Sequence, residues 1–261
     1  MIPKIAILRI EGTNCDEEAY LAFKNAGGAP DYVHLNELKL KRKDLEDYQM
    51  LYIPGGFSAG DYVRAGAIFA ARIKGLIEKD LVKFIEEGKP ILGICNGFQI
   101  LLELGILPGI NTKISKIPQA VLTTNDSNLF ECRWIYLKKE SRKCIFNKNY
   151  DDQIISLPIA HAEGKFLLSD NKLLDKLIEN DQIAFRYVDP SGNYTSYPWN
   201  PNGSIYNIAG LCNDTGTIMG LMPHPERAFF EYQHPEWKRG NGKDYGRSIF
   251  LSAINYLSKK F

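Results

Sequence analysis

The sequence predicts an α/β fold: an open, mostly parallel sheet flanked by helices, with antiparallel strands added, in one domain spanning residues 1–261. Three observations carry this. Short apolar runs alternate with helix-period segments through the first hundred or so residues, the order that builds parallel sheets with right-handed crossovers. The run Pro90 to Ile94 is apolar on both faces, as a strand covered by helices on two sides requires. Beyond it, polar and apolar residues alternate singly, the mark of half-exposed antiparallel strands.

The elements follow in order. Lys4 to Ile10 is an Ile-rich strand, and Gly12-Thr13-Asn14 separates it from a helix that opens on Asp16-Glu17-Glu18 and ends at Gly27-Gly28. Acidic residues in a first turn offset the helix dipole, and glycine permits the left-handed exit. Tyr32 to Leu35 reads as a second strand, residues 36–47 as a charged, solvated helix face, and Met50 to Ile53 as a third strand stopped by Pro54-Gly55-Gly56. Ile68 to Glu87 has helical spacing, with Ile73, Leu76, Ile77, Leu81, Phe84 and Ile85 on one side. After the Pro90 strand, Phe98 to Leu104 is helical. Phe130 to Tyr136, Ile154 to Ala160 and Ile183 to Val188 are strands, residues 189–204 are loop, and Ile208 to Leu211 pairs with Ile218 to Met222 across Asn213-Asp214-Thr215-Gly216. A last helix covers about residues 245–257.

Composition excludes several classes. Lys plus Arg number 32 against 31 Asp plus Glu, a net charge of +1, so charge gives no reason to expect nucleic-acid or membrane partners. No window approaches 18 uncharged apolar residues and the N-terminus lacks signal-peptide character; a cytoplasmic location is expected. Five cysteines stand at 15, 95, 132, 144 and 212 without a C-x-x-C pair, which disfavours zinc and disulfide frameworks. No metal is expected, and most of the thiols are expected to be buried and reduced.

One cysteine differs. Gly93-Ile94-Cys95-Asn96-Gly97 is G-x-C-x-G between a buried strand and a helix, the thiol counterpart of the G-x-S-x-G elbow. Such a turn lifts the sulfur out of the sheet and sets it at a helix N-terminus, where the dipole favours thiolate. A structural buried cysteine is the competing reading. Of four histidines, His34 lies in a plain strand pattern, whereas His224 sits in Pro223-His224-Pro225-Glu226 after a late apolar strand. In an extended segment residues i and i+2 share a side, so Glu226 can reach the His224 ring and orient it as a triad's third member does. Pro54-Gly55-Gly56-Phe57 follows the third strand; the N–H of Gly56 or Phe57, with that of Asn96, can form an oxyanion hole. Cys15 has no local base and reads as structural or interfacial.

Together these segments resemble the class I, triad-type glutamine amidotransferases. The resemblance implies a flavodoxin-like open sheet, with Cys95 as nucleophile, His224 as base and then acid, and Glu226 as its orienter. It also implies Gln99 and the Gly55-Gly56-Phe57 loop in glutamine binding. Gly12 to Asp16, Pro54 to Ala67 (with Asp61 and Arg64), Pro158 to Gly164, Asn200 to Ser204 and Pro223 to Ala228 extend the likeness over nearly the whole chain, to amidotransferases of purine biosynthesis. That narrower likeness implies hydrolysis of L-glutamine to glutamate and ammonia through a glutamyl thioester. It implies a large synthetase partner that uses ATP and Mg²⁺ to aminate formylglycinamide ribonucleotide, a small accessory subunit, and no cofactor on this chain. His161 and Glu163, in a segment where the family has H-G-E-G and this chain His161-Ala162-Glu163-Gly164, fit the glutamine entrance, an interface or a structural loop; Arg64 is a further substrate or interface candidate. Residues 231–246, with Trp237 and Lys238-Arg239, extend beyond the shortest relatives and either face a partner or cover the core edge. A different cysteine hydrolase on a similar sheet predicts no preference for glutamine. A regulatory module that lost catalysis is disfavoured by the intact Cys95, His224 and Glu226.

Overall fold

The computed structural model describes residues 2–151, 154–240 and 243–261. Two positions of the 231–246 extension, 241 and 242, lie outside the described residues. The first half alternates as expected. β1 (Lys4–Arg9), α1 (Asp16–Asn25), β2 (Ala29–His34) and a short α2 (Leu35–Lys39) come first. β3 (Met50–Ile53), α3 (Ala67–Glu86), β4 (Ile91–Ile94) and α4 (Asn96–Glu103) follow. The second half contributes β5 (Ala120–Thr123), β6 (Glu131–Lys139), β7 (Ile155–His161), β8 (Lys165–Leu168), α5 (Lys172–Glu179) and β9 (Ile183–Val188). β10 (Ile208–Cys212), β11 (Ile218–Leu221) and α6 (Arg247–Lys260) close the chain.

Nine strands form one sheet in the order β2-β1-β3-β4-β11-β10-β9-β6-β7. The pairs from β2 to β11 are parallel, and those from β11 to β7 are antiparallel. The parallel part is the doubly wound 2-1-3-4-5 arrangement, whose ligand crevice opens where the strand order reverses, between β1 and β3 at their carboxyl ends.

Register shows helices on both faces. Ile53, Gly93 and Gly220 are cross-strand neighbours on one face, and α4 lies there: a Cβ on Gly93 would come 2.6 Å from Leu101, and one on Gly220 2.0 Å from Phe98. Tyr52 and Leu92 share the opposite face, where Phe23 of α1 and Phe250 of α6 pack edge-on at 4.9 Å, with Phe23 also 5.3 Å from Tyr52. α4 seats so deeply that a side chain at Gly97 would meet the Ile53 carbonyl oxygen at 2.0 Å. That contact draws the end of β3 against the start of α4, and both carry the site.

The structure departs from expectation in three places. The second strand lies earlier, at Ala29–His34, because His34 ends it by capping α2. The Asn36 N–H donates to His34 Nδ1 at 3.1 Å, and the His34 N–H to the Glu37 carboxylate at 2.9 Å, a reciprocal box that starts a helix. The charged stretch 36–47 is not one helix face: α2 stops at Lys39, a 3₁₀ turn occupies Leu45–Asp47, and Lys43 pairs with Asp31 at 2.8 Å. The pair β5–β8 and helix α5 have no counterpart among the elements expected from the sequence. Those strands are four residues long and pair only with each other across 41 positions or more, Thr123 with Lys165 and Ala120 with Leu168, so no local repeat announces them. No described helix is long and apolar enough to cross a membrane.

Candidate active site

The site is built from the loops that leave β1, β3, β4 and β11. At the end of β4 the chain turns directly into α4, and Cys95 occupies φ 50°, ψ −105°. A non-glycine residue there stores on the order of 1–3 kcal/mol of strain and needs its surroundings to impose it. The Cys95 N–H donates to Leu221 O at 2.8 Å, and its carbonyl accepts from Phe98 and Gln99 at 3.0 and 3.1 Å. The neighbouring parallel strand and the first turn of α4 thus fix the elbow. The Cys95 Sγ donates weakly to Ala160 O at 3.8 Å.

His224 follows β11 and is pinned by its own N–H on Pro158 O at 2.8 Å. Its Nδ1 lies 2.5 Å from Glu226 Oε1, with the histidine 2% and the glutamate 1% exposed. The pairing expected from an extended segment is present, although residues 225–228 form a 3₁₀ turn. Burial opposes charging of the ring. The Glu226 carboxylate and the neighbouring Cys95 and Cys15 outweigh that and hold the His224 pKa well above its usual value. Its Nε2 is buried without a hydrogen-bond partner, free to exchange a proton with a reacting group.

A cavity of about 50 Å³ lies over the sulfur, lined among others by Gly56, Phe57, Asp61, Gln99, His161 and Glu163. Gln99 and Asn96 brace its wall. Ser58 Oγ donates to Asn96 Oδ1 at 2.5 Å, Asn96 Nδ2 to Gln99 Oε1 at 2.9 Å, and Gln99 Nε2 to the Glu163 carbonyl at 2.8 Å. Glu163 presents its carboxylate beside the cavity and accepts the Ala65 N–H at 3.2 Å. Asp61 stands near it; burial first, and then the Glu163 charge, push its pKa up to about 6. His161 is held neutral, its pKa pushed down to about 3 by burial and then by His224.

The structure distributes the candidate residues unequally. Cys95, Gly56, Phe57, Gln99, His161 and Glu163 meet at one cavity. Arg64 does not line it: its guanidinium makes two 2.6 Å bonds to Glu103, so the substrate role has no contact to rest on. Of the two N–H groups considered for the oxyanion loop, that of Phe57 is taken by Gly12 O at 3.1 Å and Asn14 Oδ1 at 3.2 Å. The N–H groups of Gly56 and Asn96, which have no acceptor among the described residues, remain as candidates. The extension packs behind the triad: His234 stacks edge-on against Trp134 at 4.6 Å, and Gln233 Nε2 donates to Glu226 O at 3.3 Å. Trp237 stays half exposed.

Two residues escaped sequence reasoning. Asp61 sits in the expected loop segment but gives no local sign of facing the thiol. Cys15 is not remote from the chemistry: ligand atoms of Cys15, His224 and Glu226 lie within 4.8 Å of one another. Arg227 Nη2 donates to Cys15 Sγ at 3.1 Å. Burial, aided by the Glu226 charge, pushes the Cys15 thiol's pKa up in spite of His224 and Arg227. Eighty positions separate the two cysteines, and only the adjacency of β1, β3 and β4 brings them together.

A thiol served by a buried His–Glu pair at the carboxyl rim of a doubly wound sheet belongs to the triad glutamine amidotransferases, and a family model described as a CobB/CobQ-like glutamine amidotransferase domain matches residues 2–257. Within that class, the subunit PurQ of phosphoribosylformylglycinamidine synthase from Archaeoglobus fulgidus is 52% identical, over 98% of this chain and 97% of its own. The Picrophilus torridus subunit is also 52% identical, over 95% and 96%. A chain in the solved structure of PurLQS from Thermotoga maritima superposes with a TM-score of 0.75 at 36% identity, over 98% of this chain and all of that one. The chain belongs to the PurQ family of phosphoribosylformylglycinamidine synthase subunits.

Proposed function

We propose that this chain is the glutaminase subunit of a phosphoribosylformylglycinamidine synthase, hydrolysing L-glutamine to L-glutamate and ammonia at Cys95. The observation that carries the reading is the strained Cys95 elbow beside the buried His224–Glu226 pair. The Cys95 thiolate attacks the side-chain carboxamide carbon, and the C–O π pair moves onto oxygen beside Gly56 and Asn96. His224 Nε2 gives its proton to the departing nitrogen as the C–N bond breaks, releasing ammonia and leaving a glutamyl thioester. Neutral His224 then takes a proton from water. The resulting hydroxide adds to the thioester, the C–S bond breaks, and glutamate leaves.

The ammonia passes to a synthetase subunit of the PurL type, which aminates formylglycinamide ribonucleotide; a small subunit of the PurS type completes the assembly. Support comes from the likeness to a chain of the solved PurLQS structure and from near-complete overlap with PurQ chains. ATP and Mg²⁺ are assigned to the synthetase, because no G-x-x-x-x-G-K-[ST] segment occurs here. Five free cysteines fit a reducing cytoplasm.

In the test, the chain is mixed with its synthetase and small subunit, and glutamate release and formylglycinamidine ribonucleotide formation are followed. A glutamine-like alkylating reagent is expected to label Cys95 and stop both, leaving ammonia-driven synthesis intact. Glutamine-independent turnover of peptides or small carbonyl compounds, without glutamate release, overturns the reading in favour of another cysteine hydrolase.

The cavity carries two carboxylates, Asp61 and Glu163, and no Lys or Arg. This suits the α-ammonium of glutamine. Asp61, with its pKa about 6, is neutral below that pH and anionic above it. The KM for glutamine is therefore expected to fall as pH rises from about 5 to 7. Asp61→Asn is expected to raise KM at pH 7 and flatten that slope, with kcat changing little; an unchanged slope removes Asp61 from substrate binding.

A further inference from the structure

The Gly12-Thr13-Asn14-Cys15 segment has no part in the function proposed above, yet it lies along the catalytic loop. β1 and β3 are neighbours where the strand order turns, so the loops leaving their carboxyl ends meet. Thr13 and Gly56 form an isolated antiparallel bridge. The Cys15 N–H donates to Gly55 O at 3.3 Å, and the Phe57 N–H donates to Gly12 O at 3.1 Å and to Asn14 Oδ1 at 3.2 Å. Asn14 lies flat on the loop: a Cβ at Gly56 would come 2.7 Å from Asn14 N and 2.8 Å from Asn14 Oδ1. Only glycine leaves room for that side chain, and Gly56 also sits at φ 127°.

These bonds set the directions of two successive peptide groups. In a trans peptide the C=O and the following N–H point opposite ways. With Gly55 O turned to Cys15, the Gly56 N–H is turned away from it, and Gly56 lines the cavity over Cys95. With the Phe57 N–H turned outward to two acceptors, the next peptide cannot rotate without losing both. Among the described residues, no acceptor takes the Gly56 N–H, so it remains for the substrate. Gly12 O alone would tether the Phe57 N–H through the backbone of an exposed loop; among the described residues the Asn14 side-chain carbonyl is the one side-chain acceptor, and it holds the peptide plane from a second direction.

We propose that Asn14 is a positioning residue for the oxyanion hole. Its side chain holds the peptide that follows Gly56, as the Cys15 N–H holds through Gly55 O the peptide that precedes it, so that Gly56 is fixed from both sides and its N–H stays aimed at the carbonyl oxygen of the bound amide. This rests on the glutaminase reading above. It assigns a task to the segment after the first strand, which makes no covalent contact with the chemistry.

The test compares wild type, Asn14→Ala and Asn14→Asp in the complex with the synthetase. An oxyanion donor is worth about 10²–10³ in kcat, and loss of its clamp is expected to forfeit part of that, about 10- to 100-fold in Asn14→Ala, with KM nearly unchanged. Asn14→Asp keeps a carboxylate oxygen for the Phe57 N–H and is expected to restore most of the rate. Cys95 alkylation by iodoacetamide provides a second readout: displacement at a saturated carbon builds no oxyanion, so its rate is expected to stay at the wild-type value in all three. If wild type releases glutamate and Asn14→Ala matches its kcat, the positioning role is overturned while the glutaminase reading stands. Alkylation falling in step with kcat, or a rise in KM in place of the loss of kcat, also overturns it, since either points to general disorder of the site. If wild type itself releases no glutamate, the glutaminase reading fails first.

Discussion

Cys95→Ala removes glutamine hydrolysis, with an expected loss in kcat of at least about 10⁴-fold, and glutamine-driven nucleotide synthesis falls with it. Alanine keeps the Cβ, so the backbone at φ 50°, ψ −105° is no more strained than before. The bonds that fix the elbow, to Leu221, Phe98 and Gln99, are all made by the Cys95 backbone and survive the change. The fold is expected to persist, with unchanged circular dichroism and assembly, and the synthetase is expected to retain its activity with free ammonia. That pattern separates loss of the nucleophile from loss of the subunit. Glutamate release by Cys95→Ala above about a hundredth of the wild-type rate would show that water or another group attacks the amide directly.

The second large effect is at Glu226. Glu226→Gln is nearly isosteric and leaves an amide against His224 Nδ1, but it removes the buried carboxylate. A comparable change in another triad lowers kcat by about 10⁴-fold through the wrong tautomer, and about 10²- to 10⁴-fold is expected here. The pH profile makes the result specific. Burial works to lower the His224 pKa, and Glu226 leads the groups that raise it. Removing the carboxylate lets the ring lose its proton at lower pH. The alkaline limb of the kcat profile, where the imidazolium needed to protonate leaving ammonia disappears, is expected to move to lower pH. An unmoved alkaline limb with a normal rate would leave Glu226 with only a packing role.

The elements that announce themselves locally were legible: the all-apolar Ile91–Ile94 strand, the long amphipathic α3, the alternating β6. The nucleophile and base were legible for a related reason. G-x-C-x-G and P-H-P-E are compact motifs whose residue types show within a few positions, even though Leu221 and Pro158, far along the chain, help to fix their geometry. Where a residue's partner is distant in the chain, sequence reasoning went astray or stopped. The pairing of Arg64, a substrate or interface candidate, with Glu103, 39 positions on, has no local signal. Phe57 looked like an oxyanion donor because the groups that take its N–H, Gly12 and Asn14, belong to another strand's loop. β5 and β8 recognise only one another.

By itself, then, the sequence determined the alternation of strands and helices, the parallel character of the first half, and the G-x-C-x-G elbow and the His224–Glu226 pair, because apolar period and short-range turn chemistry are written in neighbouring residues. Tertiary structure alone decided which of the other four thiols stands beside Cys95, which loop glycine lines the cavity, and which acidic groups line it too. Those choices follow from sheet order. Placing β1 beside β3, and β3 beside β4, lays the Asn14–Cys15 loop along Gly55 and Gly56 and brings both to Cys95. No spacing along the chain encodes that adjacency; the hydrogen-bonded pairing of the strands does.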